Sequence, residues 1–307
     1  MKKTLVAGEI NVDLVLQGYS TFPVPGQEVL VQDFGMVLGS ASAILAMGLA
    51  RLGTGVGFAG CVGDDTFGRF CLDEMARRDI DLSRVICSGR LKTGVTVSIS
   101  HPGDRALVTY LGAIGALTAA DVPDPALAGF DHLHVSSFFF QDGLRPDLPE
   151  LFARAHRAGL TTSLDTGFDP SQQWDGGLRA TLAETDLFFP NEVELRAISG
   201  CEDPVAGLRR LQGGRTRVVA KLGPGGSMTL DGDRPVHVPA FPVQPVDTTG
   251  AGDSFNSGFL HAWLQKVPLE DCLRLGNACG ALSTRGLGGT ATQPTLAEAE
   301  AFIRRHA

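Results

Sequence analysis

No run of apolar residues in this 307-residue chain is long enough to span a bilayer, so no transmembrane helix is expected. The N-terminus, Met1-Lys2-Lys3-Thr4-Leu5-Val6-Ala7-Gly8-Glu9, lacks the longer apolar region of a signal peptide and reads as a first buried strand. Cysteines number six (Cys61, Cys71, Cys87, Cys201, Cys272, Cys279), but none forms a Cys-x-x-Cys pair or clusters with histidine. That argues against a zinc site and a disulfide framework. The cysteines are expected as small buried hydrophobes of a reducing cytoplasm. Positive charge is scarce: 26 Lys and Arg against 34 Asp and Glu leave a formal net charge of −8. Such a balance speaks against general binding to nucleic acid or anionic membranes, although a nucleotide needs only local donors and a metal ion. Repeats, low-complexity tracts and charged tails are missing too. No Gly-x-Gly-x-x-Gly follows the first strand at Gly8, which disfavours a dehydrogenase.

What is present suits a globular protein with a large core: 43% of residues are hydrophobic and 20% charged. Strand-like apolar runs alternate with amphipathic helical ones. Strands are expected over 4–8, 55–62, 132–136, 160–165, 187–189 and 217–222, with a hairpin-like segment at 227–231. Helices are expected over 40–52, 65–78, 148–158, 192–198, 253–265, 269–285 and 296–305. This rhythm predicts an α/β fold: a doubly wound, mostly parallel sheet with helices on both faces. Two segments break it. Residues 11–37 are strand-like and turn-rich, and 94–111 read as two alternating strands joined by His101-Pro102-Gly103-Asp104. The simplest solution is a small β-sheet lid built from 11–37 and 93–111. It would sit over a nucleotide-binding core of 1–10, 38–92 and 112–307.

The most informative string is Asp247-Thr248-Thr249-Gly250-Ala251-Gly252-Asp253-Ser254-Phe255. Apolar bulk then recurs at Phe259, Leu260, Trp263 and Leu264, which is helical spacing. Small residues at a helix N-terminus offer backbone N–H groups to an anion and let a phosphate come close. A carboxylate there suits a base that accepts a proton from an attacking hydroxyl. Alone, Asp before a helix also reads as an N-cap. Asn191-Glu192-Val193-Glu194 after a short strand reads alone as a capping pair; beside the other motifs it reads as one carboxylate next to a hydrated Mg²⁺.

The full string resembles the second signature of the ribokinase-like (PfkB-type) carbohydrate kinases. Further blocks follow in that family's order along nearly the whole chain. Gly8-Glu9-Ile10-Asn11-Val12-Asp13 resembles the opening strand, whose Asn and Asp reach sugar hydroxyls. Gly39-Ser40 through Gly53 lies at the first signature, with Ser40 in place of a second Gly and Ile44 in place of a substrate-contacting Asn. Thr93, Gly94 and Arg105 match lid positions. Ser163-Leu164-Asp165-Thr166-Gly167-Phe168-Asp169 lies where the family has Asp-x-Asn-x-Arg, and only Asp165 is kept. Asn191 and Glu194 match an Asn-x-x-Glu motif, Lys221-Leu222-Gly223-Pro224-Gly225 a turn against ATP, and Asn277 an adenine-pocket position.

The resemblance implies an ATP- and Mg²⁺-dependent kinase of a small sugar or sugar acid. Asp253 is the implied base, with Gly250, Ala251 and Gly252 as anion hole. Asn11, Asp13, Gly39, Ser40, Arg105 and Asp165 are implied at the substrate, and Asn191, Lys221, Gly223, Gly225 and Asn277 at the nucleotide. Glu194 would hold Mg²⁺ through water, and Asp247 and Thr249 mark a candidate K⁺ site. At Ile44, either the substrate lacks a hydroxyl or Ser40 or Ser42 replaces the contact. A nucleoside kinase of the same family and a non-catalytic sensor are the alternative readings. Neither nucleic acid nor membrane is an expected partner, and open lid edges could pair two copies into a homodimer.

Overall fold

Strand and helix alternate from the first residues. The structure, a computed structural model, describes residues 1–19, 21–101 and 104–306, with the side chains of Ser100, His101, Asp104 and Arg105 left out. The chain opens with β1 (Lys3–Ala7), β2 (Asn11–Gln17), β3 (Asp33–Leu38), α1 (Ala41–Arg51), β4 (Gly55–Gly63), α2 (Thr66–Ala76) and β5 (Asp81–Ser88). The pair β6 (Gly94–His101) and β7 (Asp104–Tyr110) follows, then α3 (Asp124–Leu127), β8 (His132–Val135), α4 (Leu148–Arg157) and β9 (Thr161–Leu164). Next come α5 (Leu178–Ala183), β10 (Leu187–Phe188), α6 (Glu192–Ser199), α7 (Pro204–Leu211) and β11 (Arg217–Lys221). The hairpin of β12 (Ser227–Asp231) and β13 (Arg234–Val238) precedes α8 (Ala251–Leu264), α9 (Leu269–Ser283) and α10 (Leu296–Arg305).

Nine strands form one sheet in the order β13-β12-β11-β10-β9-β8-β1-β4-β5. All neighbours from β11 to β5 run parallel, while β12 and β13 add an antiparallel edge. Parallel strands need crossovers, and the crossover helices cover both faces. Side chains alternate accordingly. Val6 and Val219 enter a core shared with α1, α8, α9 and α10. Their neighbours Leu5, Ala7, Val218 and Ala220 enter a second core shared with α4, α5 and α7. This is the expected doubly wound α/β fold. Among the described residues no helix is long and apolar enough to cross a membrane.

A separate four-stranded sheet has the order β3-β2-β6-β7. Its register puts Asn11, Asp13, Thr96, Ser98 and Thr109 on one face, and Leu14, Phe34, Met36, Val97, Val108 and Tyr110 on the other. Burial is inverted over only part of this sheet: on the apolar face Val12 and Leu38 enter the first core, and on the polar face Thr109 is exposed. Asn11, Asp13, Thr96 and Ser98 are buried, whereas Phe34, Val108 and Tyr110 are 57%, 61% and 55% exposed. Its polar face is thus the inward one. Pro102 and Gly103, read as the turn between β6 and β7, lie outside the described residues, as does the side chain of Arg105.

The expectation for the cysteines needs correction. Cys87 is exposed and Cys201 half-buried, so not all of them are core residues. Cys87 lies on the edge strand β5, whose alternation leaves one face to water. Cys61, Cys71, Cys272 and Cys279 are buried, and burial raises their thiol pKa values.

Helix α8 anchors the first core. Phe259 is fully buried and meets Phe189 edge-on, with ring centroids 5.5 Å apart. Phe259→Ala should therefore cost about 3–5 kcal/mol, read as a lower midpoint in chemical denaturation.

Candidate active site

The C-terminal ends of β1, β8, β9, β10 and β11 share one edge of the sheet, because these strands are parallel. Ligands of open α/β sheets bind beyond that edge. There the chain places Glu9, Ser137, Asp165, Asn191 and Lys221, each at or just past a strand end.

The N-terminus of α8 comes to the same place. Its approach is fastened by Asp247, whose Oδ1 accepts the Thr249 N–H (2.9 Å) and hydroxyl (2.7 Å) and whose Oδ2 accepts the Gly288 N–H (2.9 Å). Gly250 then turns with φ 69°. A Cβ there would stand 2.8 Å from the Cα of Gly289 and 2.9 Å from Cγ2 of Ile44, so only glycine fits. No side chain caps α8. The first helical bond runs from the Ser254 N–H to the Gly250 carbonyl, and the Ala251 N–H donates to the Thr248 carbonyl at 3.3 Å, so the Gly252 N–H precedes the ladder. Gly250, Ala251, Gly252 and Asp253 are all half-buried. This cradle of small residues and leading amides fits a phosphate.

A compact charge cluster lies beneath it. Asp165 Oδ2 accepts the Lys221 ammonium at 2.5 Å and the Asn256 amide at 2.7 Å, while Oδ1 accepts the Gly167 N–H at 2.9 Å. The Asp165 and Lys221 side chains are only 6% and 13% exposed. Burial opposes ionisation of Asp165, but Lys221 and the hydrogen bonds outweigh it and keep the carboxyl below its usual range. Burial likewise opposes the Lys221 charge, yet Asp165, Glu194 and Asp253 together raise its pKa. The carboxylate expected at the substrate is therefore engaged with Lys221, Asn256 and Gly167.

Asn191 and Glu194 form a reciprocal cap on α6. The Asn191 N–H and Nδ2 donate to the Glu194 carboxylate at 2.8 and 2.7 Å, and the Glu194 N–H donates to Asn191 Oδ1 at 2.9 Å. Burial, with Asp165 and Asp253 nearby, pushes the Glu194 carboxyl up to about 8. Among the described residues no three His, Cys, Asp or Glu side chains converge to hold a metal. The donor set fits Mg²⁺ held by phosphates and water beside one carboxylate, since Mg²⁺ keeps much of its hydration.

The other expected nucleotide residues lie along the same side. Gly223 and Gly225 form an exposed turn, and a Cβ on Gly223 would meet nothing within 4 Å. Asn277 is buried rather than solvent-facing. Its amide donates to the carbonyls of Val238 (3.0 Å) and Pro239 (3.1 Å), tying α9 to the end of β13.

On the lid side, Asn11 Nδ2 donates to Asp13 Oδ1 at 2.8 Å and reaches Thr96 Oγ1 at 3.4 Å. Gly39 passes so close that a Cβ would stand 2.1 Å from Asp13 Oδ1. Ser40, at φ 76°, caps α1: its hydroxyl accepts the Ala43 N–H and donates to the Glu9 carbonyl. Ser42 is bound away from the cleft, its hydroxyl donating to Glu9 Oε2 at 2.7 Å. Ile44 makes no polar substitute for an amide. It is buried against Gly250 and Gly289, and thereby joins the start of α1 to the start of α8. Asp169 serves its own loop, accepting from Ser171 and the Trp174 N–H.

Two groups escaped sequence reasoning. Glu9 is a buried carboxylate that also accepts the Ser137 hydroxyl (2.9 Å) and the Gln141 amide (2.7 Å), locking β1 to the loop after β8. Asn256 had a readable signal: it lies three residues after Asp253, which puts both on one side of α8.

Comparison with known proteins identifies the family and the fold. The model of the pfkB family carbohydrate kinases matches residues 1–296. An ATP-dependent ribose-1-phosphate kinase of Halopiger xanaduensis is 30% identical over 99% of this chain and 98% of its own. An uncharacterized sugar kinase of Archaeoglobus fulgidus is 32% identical over 76% of this chain and 93% of its own. Among solved structures, a putative ribokinase II from E. coli superposes with a TM-score of 0.90 at 26% identity, covering all of both chains. The same E. coli protein is also known in complex with ATP and Mg²⁺, with a TM-score of 0.87. The chain belongs to the pfkB family of carbohydrate kinases.

Proposed function

We propose that this carbohydrate kinase transfers the γ-phosphoryl group of ATP to a hydroxyl of a small sugar or sugar acid, with Asp253 as general base. The observation that carries the reading is the uncapped, glycine-only turn at Gly250, which sets Asp253 in the first turn of α8. Asp253 accepts the hydroxyl proton as the acceptor oxygen bonds to the γ-phosphorus and the bond to the ADP oxygen breaks. Charge gathers on the phosphoryl oxygens, where the N–H groups of Gly250 and Gly252 stabilise it, joined by that of Ala251 once it turns from the Thr248 carbonyl it meets at 3.3 Å.

Asn191, Lys221, Gly223, Gly225 and Asn277 form the nucleotide side. Glu194 would hold Mg²⁺ through water, and the ion would there offset phosphate charge. Both carboxylate oxygens of Asp247 are already bonded, so a K⁺ ion beside Thr249 would rely on loop carbonyls. Asn11, Asp13 and Gly39 face the acceptor, with Ser40 beside them, its hydroxyl already donating to the Glu9 carbonyl and accepting from the Ala43 N–H. Segments 11–37 and 93–111 act as its lid, which explains why that sheet turns its polar face inward. The apolar outer face, with Phe34, Val108 and Tyr110, suits a second copy of the chain. ATP as donor is in keeping with a cytoplasmic enzyme.

Asp253→Asn keeps the shape of the loop and removes the base. Turnover should fall by about 10²–10⁴-fold while MgATP binding by calorimetry is retained; full turnover would refute the assignment. Glu194 gives a second expectation. In the ligand-free protein its carboxyl should titrate near 8 by side-chain carbon NMR. An acid whose pKa is raised in the fold costs stability progressively between its unfolded value of 4.5 and its folded value of about 8. Lys221→Met should raise the Glu194 pKa further, and Asp165→Asn should lower it.

A further inference from the structure

The Gly250 turn offers backbone dipoles to a phosphoryl group but no full charge of its own. A full charge stands directly against it. Lys221 Nζ lies 3.4 Å from the point a Cβ on Gly252 would occupy. Lysine carries its charge on a flexible four-carbon stem, so something must fix it. Asp165 at the end of β9 does so directly through Oδ2, and Asn256 on α8 holds that oxygen in place by donating its amide to it. Asn256 is fully buried and sits one turn beyond Asp253, so the helix that presents the base also braces the lysine.

The charged groups around Lys221 are Asp165 on β9, Glu194 on α6 and Asp253 on α8. His134 on β8 is also near; burial drives its pKa down to about 3, so it is neutral. A buried ion pair is weak evidence for stability, because apolar replacements often do as well. Its place at the cleft edge beside Gly252 gives this pair a different meaning.

Resting on the phosphoryl-transfer reading, we infer that Asp165 and Asn256 are positioning residues: they hold the Lys221 ammonium under Gly252, where it accompanies the transferred phosphoryl group, and they contact no acceptor. This assigns Asp165 a role different from the substrate contact expected from its motif.

The test is a double-mutant cycle on the full chain, with kcat and KM measured for Lys221→Met, Asp165→Asn, Asn256→Ala and the two doubles with Lys221→Met. Lys221→Met should lower kcat by about a hundredfold and change the KM for the acceptor less than about threefold. Asp165→Asn and Asn256→Ala should each lower kcat in the wild-type background, yet change it less than about twofold when combined with Lys221→Met, because groups acting through one partner are non-additive. Should Asp165→Asn fail to fold, its double with Lys221→Met leaves no unpaired buried charge, and the Asn256 cycle stands independently. Equal losses in both backgrounds, or a Lys221→Met enzyme as fast as wild type, would overturn the inference. A raised acceptor KM in Asp165→Asn that persists in the double with Lys221→Met would overturn it too. Failure of the parent reading looks different: wild type itself would then show no acceptor-dependent consumption of ATP.

Discussion

Gly250 turns with a positive φ in a space where Ile44 and Gly289 leave no room for a Cβ. Much of the site depends on that close approach. It ends the incoming loop, starts α8 without a side-chain cap, and brings the start of α1 against the start of α8. The half-buried amides at the head of the helix then point to where an anion fits. Loop rigidity comes from Asp247, which draws three donors and ties the turn to Gly288. A side chain at Gly250 would push apart the two helix starts.

The parallel sheet supplies the remainder. Because its strands run in one direction, residues far apart in sequence meet at one edge. Glu9, Ser137, Asp165, Asn191 and Lys221 are each a strand-end consequence of the topology. Opposite them stands the second sheet with its polarity partly reversed, burying Asn11, Asp13, Thr96 and Ser98. Burying polar side chains while leaving Phe34 and Tyr110 in water is unfavourable for an isolated sheet. On the proposed reading, the inward face meets a hydroxyl-rich ligand and the outer face another apolar surface.

Legibility in the sequence followed contiguity. The long apolar strands and amphipathic helices are readable, and so is the string from Asp247 to Ser254, because each is local. β5 escapes such a reading because an edge strand carries charges such as Asp81 and Arg84 between its apolar residues. β13 is obscured by Pro235, and α5 and α7 are short. The Ser137–Glu9 bond spans 128 positions and the Asn256–Asp165 bond 91, so neither leaves a local pattern. At Asn191 and Glu194, the capping pair seen in the sequence forms, and the same carboxylate still lies within the field of Asp165, Lys221 and Asp253. In the sequence Ile44 reads as a substrate residue turned apolar; in the fold it is packing beneath a glycine turn.

The most direct test is an ATP-consumption screen with the purified full chain over pentoses, hexoses, sugar acids and nucleosides. The account predicts that at least one sugar or sugar acid stimulates ADP release well above the acceptor-free rate and yields a phosphorylated product. MgATP binding with no stimulation by any acceptor would contradict it and point to a sensor built on a kinase fold.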